Sequence, residues 1–320
     1  MYIITGGAGF IGSNIVLELN ARGECDILVV DNLTDGKRFN NLFGCHISDY
    51  QDKNNFLDNI INNSLDAASI QAVFHQGACS STTEWDGRYM MENNYQYSKT
   101  LLHFCQQHNI PFIYASSAAV YGGETDFRED SQVSWPLNVY GYSKYLFDQY
   151  VANLGSQLTT QVVGLRYFNV YGPRESHKDR MASMAFHLHH QIINEGVAHL
   201  FGASKHSKPG EQSRDFVAVE DIAKVNCWFL DHPQHSGVFN VGTGISRQFN
   251  QLAQVIIDYH QRGSIEYIPF PDDLINSYQE YTQADLSALR NVGCDITFKT
   301  LEQAIPGYLD WLKSETHTSI

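Results

Sequence analysis

The sequence predicts an α/β protein with a Rossmann-type, doubly wound parallel sheet and a second, smaller α/β substrate domain. Two observations lead to this prediction. Short apolar runs alternate with helical patterns over the first half of the chain, which is typical of βαβ units and of a parallel sheet. The run Ile-Leu-Val-Val at residues 27–30 has no polar alternation, so it predicts a strand that is buried on both faces.

The elements follow in a regular order along the chain. Residues 13–21 carry Ile15, Val16 and Leu19 at the spacing of one helix face, as expected of a helix that packs on a sheet. Further apolar runs predict strands at residues 2–5, 72–74, 111–115, 161–165 and 237–242. The last of these strands is expected to return to the main sheet.

The pattern of the chain changes in its second half, where short strands and helices mix. A helical pattern covers residues 182–194, and the polar residues 203–213 predict a loop. We therefore predict a dinucleotide-binding domain at residues 1–172, with a returning segment at about 215–243. Residues 173–320 are expected to form mainly the substrate-binding domain.

The composition excludes several classes of protein. Hydrophobic residues make up 43% of the 320 residues, which is enough to bury a core, and the formal net charge of −14 argues against nucleic-acid or acidic-membrane partners. The six cysteines form no CxxC pair, and no apolar stretch approaches the ~20 residues of a membrane span. No basic segment typical of a signal peptide precedes the first strand, so we expect a soluble, cytoplasmic protein with free thiols.

A glycine-rich run separates the first predicted strand from the first helix. Gly6, Gly9 and Gly12 have the spacing of a dinucleotide-binding loop. Glycine allows a tight turn and a close approach of the backbone to a pyrophosphate, and the start of the following helix offers free N–H groups. Asp31 ends the second predicted strand, where an acidic residue binds a ribose hydroxyl.

The identity of the dinucleotide is left open by the residues around this loop. Asp31 favours an unphosphorylated ribose, as in NAD. Lys37 and Arg38 follow it closely and offer two cations for a 2′-phosphate, as in NADP. The same two cations also fit an ordinary solvated turn. Our hypothesis is NADP, with NAD as the alternative.

Tyr140 and Lys144 lie four positions apart, which places them on one face of a helix. A tyrosine normally titrates too high to act as a general base, but a nearby ammonium favours the phenolate. Lowering the phenol pKa by about three corresponds to roughly 4 kcal/mol. The phenolate then takes the proton of a substrate hydroxyl while a hydride leaves the carbon.

Ser117 follows the strand predicted at residues 111–115. The carboxyl ends of strands are where open α/β sheets bind ligands, so the Ser117 hydroxyl is expected to steady the substrate oxygen. The alternative is that Ser117 only caps a helix. A glycine loop, a serine and a Tyr/Lys pair in this order predict an enzyme that transiently oxidises a hydroxyl group.

With these residues the chain resembles the extended short-chain dehydrogenase/reductase superfamily over nearly its whole length. Later landmarks agree, at residues 166–173, 214–217 and 239–244. The resemblance implies a nucleotide-sugar substrate, with Arg214 as an anchor for its diphosphate. The alternative for Arg214 is a structural ion pair with Asp215.

Narrower runs resemble one family within this superfamily, the 6-epimerases of ADP-L-glycero-D-manno-heptose. The runs are residues 77–87, 89–91, 93–99, 171–174, 177–178, 181–183 and 267–271. The resemblance implies interconversion of ADP-D-glycero- and ADP-L-glycero-D-manno-heptose, which supplies the inner core of lipopolysaccharide. It also implies a homo-oligomer, commonly a pentamer.

The reacting carbon of this substrate, C6, lies outside the sugar ring. Oxidation gives a flat ketone, rotation about the adjoining bond presents its other face, and the same hydride returns. The oxygen points in different directions in the two epimers, so a second acid/base is useful, and the family's pattern places it at Lys178. Its pKa would have to be lowered by burial or by neighbours such as Arg174 and Arg180. The alternative is a phosphate-binding or solvated cation.

The remaining site residues carry over from the resemblance by position. Those expected to contact the cofactor are Gly6, Gly9, Phe10, Ile11, Gly12, Asp31, Asn32, Arg38, Lys53, Gln76, Gly77, Ala78, Cys79, Ser80, Asn93, Lys144, Val170 and Lys178. Those expected to contact the sugar nucleotide are Asn169, Arg180, His187, Phe201, Gly202, Ala203, Ser204, Arg214 and Tyr278.

This chain departs from the family's pattern at several positions. The family usually has Lys where this chain has Arg38, Glu where it has Gln76, and a small residue where it has Arg180. The last departure puts the substrate role of Arg180 in doubt. The loop at residues 203–213 is longer than expected, which blurs the assignment of its residues.

Other functions compete with an epimerase of this kind. A UDP-sugar 4-epimerase and a 4,6-dehydratase use the same fold, although a dehydratase usually carries Thr-Asp-Glu where this chain has Ser117-Ala118-Ala119. A non-catalytic dinucleotide sensor has no need of a Ser/Tyr/Lys set. His187, His189 and His190 have no matching cysteine or carboxylate set, so no metal site is predicted.

Overall fold

Strands and helices alternate through the first half of the chain, as predicted. The structure is a computed structural model that describes residues 1–130, 135–271 and 278–318. The strands are β1 (Tyr2–Thr5), β2 (Ile27–Asp31), β3 (Asp49–Asp52), β4 (Ala72–His75), β5 (Phe112–Ser117), β6 (Val162–Tyr167), β7 (Asn169–Tyr171), β8 (Val197–Phe201), β9 (Ser213–Ala218), β10 (Gly237–Val241), β11 (Ser246–Gln248) and β12 (Ser264–Ile268). The helices are α1 (Phe10–Ala21), α2 (Lys53–Ile61), α3 (Gly87–Met90), α4 (Tyr97–Gln107), α5 (Val139–Leu154), α6 (Met184–Glu195), α7 (Val219–Asp231), α8 (Phe249–His260), α9 (Ser287–Asn291) and α10 (Leu301–Thr318).

The main sheet has seven strands in the order β10-β6-β5-β4-β1-β2-β3, and every neighbouring pair is parallel. The strand order reverses between β1 and β4. Open sheets of this kind bind ligands outside the carboxyl ends of the strands at such a switch point. The Rossmann-type fold class is therefore confirmed, and the expected place for a site is beside Thr5 and His75.

The two faces of the sheet are buried in separate hydrophobic clusters because successive side chains of a strand point to opposite faces. On one face, Ile4 and Val29 pack with Ile15 and Leu19 of α1. On the other face, Ile3, Leu28 and Val30 pack with residues of α2, α4 and α5. Burial on both faces explains why these strands read as continuous apolar runs.

The second half of the chain adds a third hydrophobic cluster, formed largely by α6, α8 and α10. Beside it lie a three-stranded sheet, in the order β11-β9-β7, and the pair β12-β8. Strand β10 runs alongside β6 at the edge of the main sheet, where the sequence placed a returning strand. The domain boundaries at residue 172 and at about 215–243 stay predictions.

The helices of the described residues can be compared with the requirements of a membrane span. None of the helices found there combines the length and the apolar character needed to cross a bilayer.

Candidate active site

A cavity of about 660 Å³ lies at the carboxyl ends of the central strands. Thr5 ends β1, Ser117 ends β5 and Tyr167 ends β6, and all three line it. Every residue predicted for the cofactor lines this cavity, and so do Ser117, Tyr140, Lys144 and Lys178. The structure therefore brings together residues from β1 to the segment around position 178. Their individual roles stay predictions.

The glycine loop forms a cradle that only glycine fits. Gly6 has φ +67°, and a Cβ atom there would lie 2.7 Å from the backbone nitrogen of Gly77. A Cβ atom at Gly12 would lie 2.2 Å from the carbonyl oxygen of Gly6. Helix α1 begins directly after Gly9, and its first residues line the cavity. This arrangement suits the pyrophosphate of a dinucleotide, because bare backbone and the N-terminus of a helix face the ligand.

Asp31 and Arg38 form the end of the cavity expected to hold the ribose. The Asp31 carboxylate accepts hydrogen bonds from the backbone nitrogens of Ala8 at 3.0 Å and Asn32 at 2.8 Å, and from Nη1 of Arg38 at 3.2 Å. The Nε atom of Arg38 is buried and has no hydrogen-bond partner among the described residues. Of the two predicted cations, Arg38 lines the cavity and Lys37 does not.

Ser117 caps a short helix, and its predicted role toward the substrate oxygen stays a prediction. Its hydroxyl accepts a hydrogen bond from the backbone nitrogen of Ala119 at 3.1 Å and so caps a short 3-10 helix. The same side chain is hydrogen-bonded to Tyr140, which lowers the pKa of the phenol. Tyr140 lies in the first turn of α5, which begins after the capping residue Asn138.

The expected acidification of Tyr140 by Lys144 is wrong for this structure. Burial raises the pKa of Tyr140 above its usual value, and only the bond from Ser117 opposes this. Lys144 Nζ instead donates a hydrogen bond to the carbonyl oxygen of Ala115 at 2.8 Å. Burial lowers the pKa of Lys144 to about 8, while Asp148 raises it. Helical spacing placed both residues on one face of α5, but burial penalises the charged form of each.

Lys178 reaches the cavity from a short 3-10 segment, Ser176–Met181. Its ammonium lies 5.1 Å from the centre of the Phe10 ring, at the start of α1. Burial lowers the pKa of Lys178, and Glu175 raises it. The neighbouring arginines proposed as the cause are not responsible: Arg180 is exposed, and Arg174 binds the carbonyl oxygens of Asn41 and Phe43.

The residues predicted for the sugar nucleotide fall into two groups. Asn169 lines the cavity. Arg214 is buried, and its guanidinium lies 4.8 Å from the Tyr278 ring centre and 5.6 Å from that of Phe249, which also lines the cavity. Phe201 packs edge-on against Tyr278 at 6.1 Å. Of the nine predicted residues, only Asn169 lines the cavity. The other eight do not: Arg180, His187, Phe201, Gly202, Ala203, Ser204, Arg214 and Tyr278.

The alternative ion pair between Arg214 and Asp215 is not present. Asp215 accepts hydrogen bonds from Thr243, Gly244 and the backbone of Ala284. Over the described ranges, no carboxylate lies within ion-pair distance of Arg214. Burial without a paired carboxylate lowers the pKa of Arg214 and leaves it suited to an anion.

Sequence reasoning missed several polar residues that support the site. The Asn94 side chain binds both the backbone nitrogen and the carbonyl of Cys79, at 2.8 and 2.9 Å. The Asp148 carboxylate accepts hydrogen bonds from Ser116 and Arg166, both at 2.9 Å. The position of Asp148, four residues after Lys144, was an available signal because it shares the helix face of the Tyr/Lys pair. No comparable spacing in the sequence indicated that Asn94 would contact the site.

The histidines of α6 do not form a metal centre in the described part of the chain, where no group of three suitable ligands is found. His189 Nδ1 and His260 Nε2 lie 3.1 Å apart, and His190 packs against Phe186. His187 has ring contact with Phe186 as well. His189 therefore packs between α6 and α8, whereas His187 and His190 contact Phe186 of their own helix.

Comparison with known proteins agrees with this geometry. Residues 2–242 match the family model of the NAD dependent epimerase/dehydratase family. A protein of Alkalilimnicola ehrlichii named ADP-L-glycero-D-manno-heptose-6-epimerase is 56% identical over 310 residues, which are 97% of this chain and 97% of that protein. The crystal structure of the Helicobacter pylori ADP-L-glycero-D-manno-heptose-6-epimerase is 33% identical, with a TM-score of 0.85 over 98% of this chain and 96% of that one. The Thermus thermophilus UDP-glucose 4-epimerase, solved with NAD, is 25% identical, with a TM-score of 0.78 over 98% of each chain.

Proposed function

Because the chain belongs to the NAD-dependent epimerase/dehydratase family, we propose that it epimerises C6 of ADP-glycero-D-manno-heptose, from the D-glycero to the L-glycero form. The observation that carries this proposal is the shared cavity: Tyr140 from α5 and Lys178 from a separate segment line one space with the glycine loop. An inversion of this kind needs proton-transfer groups in two places. The names of two relatives support the choice of substrate.

The chemistry divides into oxidation and its reversal on the other face. A bound nicotinamide dinucleotide would supply hydride transfer from and back to C6, and the positive charge of its oxidised form would favour ionised neighbours. Tyr140 Oη and Lys178 Nζ take and supply the proton of the substrate oxygen, one for each epimer. No net oxidation results, so the dinucleotide is expected to stay bound between turnovers.

The supporting residues have distinct tasks in this proposal. The Ser117 hydroxyl bonds Tyr140 and is placed at the end of β5 to steady the oxygen as it becomes a carbonyl. Lys144 is held by the Ala115 carbonyl below the same space. Arg214 offers a buried, planar cation for the diphosphate, and the rings of Tyr278 and Phe249 lie against it.

The function is tested by incubating the purified protein, without added cofactor, with each ADP-heptose epimer. We expect NMR at C6 to show the same equilibrium mixture from either side. Conversion that needs a steady supply of cofactor, or no conversion of either epimer, would overturn the proposal. UDP-glucose, incubated in parallel, tests the competing 4-epimerase activity.

The proposed cofactor is NADP. Arg38 supports it, because this guanidinium lines the cavity and its Nε atom is buried without a partner in the described structure. By pairing with Asp31 it also offsets the negative charge that would repel a 2′-phosphate. A nicotinamide dinucleotide of either kind fits the glycine cradle, so the choice depends on this end of the cavity.

Replacing Arg38 by Ala is therefore expected to weaken NADP binding by about 10- to 100-fold, the loss of a charge-assisted hydrogen bond. NAD binding should change by less than threefold, because its ribose lacks the phosphate. Calorimetry on protein stripped of cofactor measures both. Lys37→Ala is the matched comparison, since Lys37 does not line the cavity. An equal loss for NADP and NAD would contradict the assignment.

The proposal includes a cytoplasmic location and a homo-oligomeric state. All six cysteines are free thiols, which fits a reducing compartment. The pentamer rests on the family resemblance alone.

A further inference from the structure

Glu175 is a fully buried carboxylate beside the cavity, with a relative exposure of 0%. It accepts hydrogen bonds from the backbone nitrogen of Gly172 at 3.1 Å and from the backbone nitrogen and hydroxyl of Ser183 at 2.5 and 2.7 Å. The hydroxyl of Tyr308, on α10, donates a fourth bond at 2.8 Å. One side chain thus joins the end of β7, the start of α6 and the C-terminal helix.

These bonds close the loop that carries Lys178. Gly172 precedes the loop and Ser183 follows it. Both donate hydrogen bonds to the Glu175 carboxylate, which therefore connects the two ends of the loop. The backbone nitrogen of Lys178 donates to the backbone carbonyl of Glu175 at 2.9 Å. Asp179, the residue after Lys178, has φ +46°, a conformation that persists in a non-glycine residue only where its surroundings enforce it.

Arg174 holds the other side of the same loop. Its guanidinium donates to the carbonyl oxygens of Asn41 and Phe43, which follow β2. Two adjacent residues therefore hold the loop on two sides: Arg174 binds the segment after β2, and Glu175 binds the start of α6 and α10. Lys178 is carried between these two anchors and over the Phe10 ring.

Among the residues that the structure describes, the Glu175 carboxylate is stabilised by hydrogen bonds and not by a salt bridge. A buried carboxylate is costly, and no cation lies within ion-pair distance of it over the described residues. Its charge raises the pKa of Lys178 against the effect of burial, and it also raises the pKa of the Tyr308 phenol. Of the other titratable groups near Lys178, His177 has a pKa lowered to about 4 and is neutral, Asp179 and Arg180 are exposed, and Tyr140 lines the same cavity.

We propose that Glu175 is a positioning residue that holds Lys178 at the cavity by fixing the loop that carries it. This inference rests on the proposed function, in which Lys178 Nζ serves one of the two epimers. A carboxylate suits this position because its two oxygens accept four hydrogen bonds, and its negative charge also acts on Lys178.

Two variants test the inference. Glu175→Gln keeps the shape but removes the charge and turns one acceptor into a donor. Tyr308→Phe removes only the fourth bond, from a helix outside the cavity, and is the variant to use if Glu175→Gln fails to fold. Tyr171→Phe is the matched control, because the Tyr171 ring lies 6.2 Å from that of Tyr308 and its buried hydroxyl has no hydrogen-bond partner among the described residues.

The readouts are kcat, KM and the pH profile of epimerisation. Without the Glu175 charge the pKa of Lys178 falls, so its proton is lost at a lower pH. We expect the alkaline limb of the kcat profile of Glu175→Gln to move to lower pH by about one pH unit, with kcat at least ~30-fold lower. Tyr308→Phe should lower kcat by about three- to tenfold at unchanged KM, and Tyr171→Phe should stay within twofold of the unaltered protein.

The outcomes separate this inference from the proposed function. An unmoved alkaline limb in folded Glu175→Gln would overturn the inference, as would equal kcat values in Tyr308→Phe and Tyr171→Phe. If the unaltered protein epimerises neither ADP-heptose, the proposed function itself fails. If it epimerises both and Lys178→Met impairs it, only the claim about Glu175 is at stake.

Discussion

Replacing Tyr140 by Phe is expected to lower kcat for epimerisation by about 10³-fold, in both directions. The change removes the phenol oxygen and keeps the ring, so the packing at the start of α5 is retained. General acid–base catalysis contributes on the order of 10² to 10⁴ in rate, and 10³ corresponds to about 4 kcal/mol of activation free energy. We expect kcat to fall in both directions, because each full epimerisation uses both proton-transfer groups once.

The measurement is turnover of each ADP-heptose epimer by NMR, with thermal unfolding as a check of the fold. Tyr142→Phe is the matched control, because Tyr142 lies on the same helix and is 47% exposed. A Tyr140→Phe protein with kcat within tenfold of the unaltered protein would remove Tyr140 from the mechanism.

Lys178→Met is expected to lower epimerisation by at least ~10²-fold while leaving one half-reaction intact. Methionine fills the space of the lysine chain but carries no proton to exchange. One epimer should still reduce the bound cofactor through Tyr140, and the other should not. Single-turnover absorbance of the reduced nicotinamide, with each epimer in turn, distinguishes them.

Lys178→Arg decides between the two roles considered for this residue. Arginine keeps a cation, but its pKa is too high for proton exchange near neutral pH. Recovery of turnover in Lys178→Arg would show a phosphate-binding or solvated cation. Loss of turnover in both variants, with one half-reaction retained, is the result we expect of an acid/base.

The fold could be predicted from local patterns because each strand of the main sheet is buried on both faces. The runs at residues 2–5 and 27–30 correspond to β1 and β2, and the run at 237–242 to β10. The observed bounds of helices and strands differ from the predicted ones where the hydrophobic pattern of the sequence is weak. Helix α1 begins at Phe10, three residues before the predicted start, because the glycine turn leads straight into it. Strand β3 carries polar residues and was not predicted.

The site could be predicted in part, and the failures have one physical origin. Spacing along one element placed Tyr140 and Lys144 on one helix face and Gly6 to Gly12 in one turn. It could not determine how deeply those groups are buried. The pKa of Tyr140 is raised where local reasoning expected it to fall, because burial depends on everything packed around the phenol.

The sequence by itself determined the fold class, the dinucleotide loop and the pair on α5, since each depends on residues a few positions apart. The tertiary structure decided which polar groups meet across the chain. Glu175 binds Tyr308, which is 133 residues away, and no periodicity reports such a contact. It also decided the electrostatics, because the free energy of a charge depends on its three-dimensional surroundings and its exposure to water rather than on its place in the chain.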